Sequence, residues 1–64
     1  MTRLELSILK ELDKKNFKYY EIGIIMNKVK DKKSKVKLLD YLINNRFEVI
    51  TVPMIIKFIY NFNM

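Results

Sequence analysis

Apolar residues recur at helical spacing along most of the chain. Leu4, Ile8, Leu9 and Leu12 form one stripe. Thr2, followed three residues later by Glu5, makes a capping-box pattern in which hydroxyl and carboxylate each serve a backbone N–H left free in the first turn. These signals predict a first helix over about 3–15, with Asn16 as a left-handed stop. Residues 17–20 read as a connection. Ile22, Ile25, Met26 and Val29 repeat at i, i+3, i+4 and i+7, which predicts a second helix over about 20–30. Gly23 lies inside it, where glycine costs about 1 kcal/mol relative to alanine. It marks either a close helix–helix contact or a tolerated defect.

Residues 31–33 form a charged break, and Asp31 or Ser34 is suited to cap a third helix over about 33–45. Val36, Leu39, Leu42 and Ile43 are its expected inward stripe, and Asn44-Asn45 its end. Over 47–52 the composition turns strand-like, with Phe47, Val49 and Thr51 in alternation. Pro53 is tolerated in a first helical turn and disfavoured in a central strand. No Asn-Gly or Asp-Gly pair is present to close a hairpin. A fourth helix over about 53–61 is therefore preferred to a β-wing.

A shift of 30 residues lays 8–29 on 38–59. Leu9 meets Leu39, Leu12 meets Leu42, Phe17 meets Phe47 and Ile25 meets Ile55. Ile22/Val52, Ile24/Met54, Met26/Ile56 and Val29/Ile59 are conservative matches. Duplication and convergent helix patterning both explain such agreement. The expected fold is an all-α bundle of three to four helices in a single domain over 1–64. Two tandem helical hairpins are one arrangement of it.

Composition narrows the chemistry. With no Cys and no His, disulfides and the commonest transition-metal ligands are excluded. The hydroxyls of Thr2, Ser7, Ser34 and Thr51 have no base at a recognisable spacing, and one glycine cannot build a phosphate loop. Pairs such as Glu11 and Lys15 read as helix support. No catalytic, cofactor or metal site is expected. No secretory leader is visible, and the apolar stretch over 49–62 is shorter than the ~20 residues of a membrane-spanning helix. The expectation is a soluble protein, cytoplasmic or otherwise intracellular, with no membrane span.

The net charge is +6. Lys28, Lys30, Lys32, Lys33, Lys35 and Lys37 fall within ten residues, interrupted by Asp31 alone, so that window carries +5. Charge gathered in this way is a footprint for phosphate, or for an acidic protein surface. The bland alternative is a solvated loop in a low-GC gene. Lys, Asn, Ile, Tyr and Phe, all with A/T-rich codons, supply 34 of the 64 residues, and Lys outnumbers Arg by 11 to 2.

The run Ile8-Leu9-Lys10-Glu11-Leu12, then Glu21-Ile22, Val36, Leu39, Leu42 and Val49, resembles the first three helices of winged-helix repressors. The connection between helices two and three reads as longer and more charged than in that family. The resemblance implies helix-turn-helix character, with the third helix in the major groove. Lys33, Lys37, Asp40 and Asn44 would share its outer face, with Asn44 able to reach a base edge. The fourth helix carries Met54, Ile55, Ile56, Phe58, Ile59, Tyr60 and Phe62 on all sides. A helix apolar all round must be covered on several sides, so it is either the central helix of the chain's own core or, the preferred expectation, part of a homodimer core that these residues share. The reading is a small DNA-binding or accessory regulator of a low-GC mobile element or virus. A protein-interaction module, inhibitor or adaptor, is the alternative.

Overall fold

The chain folds into four helices, α1 (Arg3–Lys14), α2 (Tyr19–Lys28), α3 (Lys32–Asn44) and α4 (Val52–Asn63). This computed structural model describes residues 1–63, and no strand occurs among them. The start of each helix can be traced to a side chain. The Glu5 backbone N–H donates to Thr2 Oγ1 at 3.2 Å, and the Thr2 N–H donates to Glu5 Oε1 at 3.1 Å, which completes the capping box. At α2 the Lys18 N–H donates to Glu21 Oε1 at 2.8 Å. At α3 it is Asp31, not Ser34, that caps, accepting from the Ser34 N–H at 3.2 Å and the Ser34 hydroxyl at 2.6 Å. Thr51 Oγ1 accepts from the Met54 N–H at 3.4 Å, and Pro53 sits in the first turn of α4, where its missing N–H costs nothing.

The end of α1 is equally specific. Asn16 adopts a left-handed φ of 63°. Its N–H donates to the Asp13 carbonyl at 2.9 Å, and the Phe17 N–H to the Leu12 carbonyl at 3.4 Å. This is the paired pattern of a Schellman stop, and Phe17 closes it by packing against the core.

The core is built on positions related by the 30-residue shift. Ile8 and Leu38, Leu12 and Leu42, Ile25 and Ile55, and Val29 and Ile59 are all buried. Leu9 and Leu39 both pack against its edge. The helices that pack together are also the equivalent ones, α1 chiefly on α3 and α2 on α4, with a further contact between α3 and α4. The two halves are thus interlocked through equivalent helices, and the second half is also paired within itself. The shift fails at Phe17 and Phe47: the first packs on the core, and the second is 97% exposed.

Three expectations need correction. The inward face of α3 is Ser34, Leu38 and Leu42, while Val36 and Ile43 are largely exposed. Capping by Asp31 starts the buried stripe at Ser34, whose hydroxyl is satisfied by the cap itself. The strand-like run at 47–52 forms turns and an extended loop, with only Ile50 buried. Gly23 makes no close contact, since a Cβ placed there would meet nothing within 4 Å.

Candidate nucleic-acid interface

The connection between α2 and α3 falls two residues earlier than the predicted break at 31–33 and is no longer than a helix-turn-helix turn. Val29 leaves the helix in an extended conformation (φ −117°, ψ 91°) yet stays buried, so only residues 29–31 separate the two helices. Three residues is the turn length of a helix-turn-helix unit. Val29 anchors the turn from below and holds Lys30 at the surface, with Lys32 and Lys33 in the first turn of α3.

The carboxylates near the cluster are occupied. The Ser34 hydroxyl, with the Ser34 N–H, holds the Asp31 carboxyl below its ordinary range. The Thr2 backbone N–H, the Thr2 hydroxyl and Lys35 do the same for Glu5. Lys35 Nζ lies 3.6 Å from Glu5 Oε2.

The structure divides the lysines into three groups. Lys30, Lys32 and Lys33 are exposed at the turn. Lys35 is half-buried and paired with Glu5. Lys28 and Lys37 lean over aromatic rings of α4, 5.8 Å from the Tyr60 centroid and 5.3 Å from that of Phe62. Asn44 is exposed but sits at the far end of α3, roughly 18 Å along the axis from Lys32 at the usual helical rise. Lys33, Asp40 and Asn44 are all exposed on α3, and Lys37 is half-buried beside them.

One residue was not legible as part of this site. Arg3, far away in the chain, lines the same groove as Lys30, Lys32 and Lys35. It arrives there because α1 and α3 run in the same direction. Glu5 meets Lys35 near their starts, and Glu11 meets Arg46 near their ends.

The C-terminal set divides between the chain's own core and its surface. Ile55 and Ile59 lie in the core of the single chain, at 0% and 1% exposure, and offer no surface to a second copy. Val52 and Phe62 pack beside them, so α4 has one inward face. Phe58 stacks on Tyr41 with ring centroids 4.2 Å apart, and Phe62 meets Phe58 edge-on at 5.1 Å. Ile56 is half-buried, and Met54 and Tyr60 are exposed.

Among the described residues no group of carboxylates is placed to hold a metal ion, and no helix is long and apolar enough to cross a membrane. Fold and surface together define a small all-α protein with a basic turn between its second and third helices. No family model, no curated protein and no solved structure matches the chain.

Proposed function

We propose that this chain binds nucleic acid, duplex DNA first of all, as a small regulator or accessory protein working inside the cell. The observation that carries the reading is the exposed set Lys30, Lys32 and Lys33, joined by Arg3, around a three-residue turn leading into α3. These cations would hold phosphates on either side of a groove while the first turns of α3 approach the bases. If α3 lies along the groove, Asn44 at its far end would reach a base edge by hydrogen bonding, while Asp40 would oppose phosphate beside it. No β-wing takes part, because α4 follows the loop where a wing would stand. A source in a low-GC mobile element or virus fits the codon bias.

Gel shifts on mixed-sequence duplex with a salt titration test this reading. Four exposed cations give an expected slope of about −4 in log K against log salt. Neutralising Lys30, Lys32 and Lys33 together with Arg3 is expected to abolish the shift. A shift unchanged by that variant would refute the reading.

A second reading has its own support. Phe47 and Val49 stand 97% and 89% exposed in the loop between α3 and α4, and Tyr19 is 90% exposed. Phe47 and Val49, two residues apart on one exposed loop, offer an apolar tip on which a partner could close. An inhibitor or adaptor would dock through them and set its lysines against an acidic partner. Capture from lysate with and without nuclease separates the two readings. Partners that survive nuclease but are lost on Phe47→Ala favour docking.

A further inference from the structure

Four cationic side chains from two distant stretches of sequence line a single groove. Arg3 comes from the start of α1, beside Thr2 and Leu4, while Lys30, Lys32 and Lys35 come from the turn and the first turns of α3. The groove encloses about 510 Å³. Lys35 has Glu5 as its ion-pair partner. No ion pair engages Arg3, Lys30 or Lys32 among the described residues, and the nearby Asp31 carboxylate is turned to Ser34.

Charge at the opposite end of the same two helices is handled within the chain. Lys15 Nζ donates to the carbonyls of Asn45, Arg46 and Glu48 at 2.6, 2.9 and 2.5 Å. Arg46 forks onto Glu11, with Nε at 3.2 Å from one oxygen and Nη2 at 2.9 Å from the other. There each cation has its acceptors. In the groove, Arg3, Lys30 and Lys32 have no ion-pair partner among the described residues, at an end where the parallel α1 and α3 both present positive backbone dipoles. An anion seated in the groove would meet both the cations and those dipoles.

We infer that this groove is a phosphate-binding site. Arg3 supplies the planar fork that matches two phosphate oxygens, and Lys30, Lys32 and Lys35 supply point charges around it. The phosphate it takes is carried either on a nucleic-acid backbone or on a free pyrophosphate compound. The inference deepens the nucleic-acid reading, with which it shares Arg3, Lys30 and Lys32, but stands without duplex as the source.

The test is an NMR titration of the whole chain with inorganic phosphate and then pyrophosphate, at constant ionic strength in chloride. Saturable shifts are expected at the amides of residues 2–4 and 30–35. Arg3→Gln with Lys32→Gln should weaken pyrophosphate binding about tenfold or more, as loss of charged hydrogen bonds does. Lys14→Gln, at the other end of α1, should leave it unchanged. Both groove residues are exposed, and circular dichroism checks that the variants stay folded. Shifts that rise linearly, or spread evenly over every lysine, overturn the site. Pyrophosphate that displaces duplex in a gel shift supports the backbone as source. Pyrophosphate binding without duplex binding supports the groove and defeats the nucleic-acid reading. Duplex binding with silent groove amides defeats the groove alone.

Discussion

Gly23 occupies an exposed position within α2, and nothing lies within 4 Å of where a Cβ would go. Its φ is not positive, so the backbone has no need of glycine. What remains is its conformational cost in a helix interior. Gly23→Ala is therefore expected to stabilise the fold by about 0.5–1 kcal/mol. In a domain this small that raises the melting temperature by roughly 4–8 °C per kcal/mol. Thermal melts followed by circular dichroism measure it, and a lowered Tm would mean that the glycine admits a close neighbour. Asn16 is the contrasting residue: its left-handed φ is used, and its N–H makes part of the stop that turns the chain toward α2.

At the scale of elements, α1 and α3 are the pair most firmly tied. Glu11 is buried between them and accepts from Arg46 across the interface and from Lys14 on its own helix. The hydrogen bonds from Arg46 chiefly hold its carboxyl below the ordinary range, with Lys14 adding to them against the opposing effect of burial. Glu5 and Asp31 are shifted in the same direction. A carboxylate with a lowered folded-state pKa stabilises the protein above its unfolded value, and that contribution is lost as pH falls through the folded one. Stability should thus be level near neutral pH and decline below about pH 4. Glu11→Gln should cost roughly 1–3 kcal/mol at pH 7, as lost charged hydrogen bonds do. The same variant should flatten the acid decline, since one linked carboxyl is gone. Melts across pH 2–7 check both, and an unchanged acid slope would show that Glu11 is not linked to folding.

At the scale of the whole molecule, the single chain suffices to cover its core. Its accessible surface is 4724 Å², close to the ~4,400 Å² that folded monomers of its mass expose. Its radius of gyration is 10.5 Å, against about 10.7 Å for a compact domain of this length. The fourth helix spends Ile55 and Ile59 inside, so pairing of α4 with a second copy is not required for burial. Sedimentation equilibrium at about 100 μM is expected to give one species, its mass independent of concentration. That mass should be 7.8 kDa. A dimer would mean that exposed apolar residues, such as Phe47, Val49, Met54 and Tyr60, join the copies.

The sequence by itself determined the helices, because their signals are local. A capping box at Thr2, a left-handed Asn16, a cap at Asp31 and a proline in the first turn of α4 each act within a few residues of chain. Periodicity alone also placed the inward residues of α1 and α2, and the 30-residue shift aligned Leu38 with Ile8. Tertiary structure decided which helices pair, since any apolar stripe fits several partners and only packing selects among them. That choice turned α3 so that Leu38 faces inward and Val36 does not. It drew Ile55 and Ile59 into the chain's own core, where an all-round apolar helix had suggested a partner. It also brought Arg3 to Lys30, Lys32 and Lys35, because α1 and α3 run in parallel and no local pattern records the direction in which two distant helices lie together.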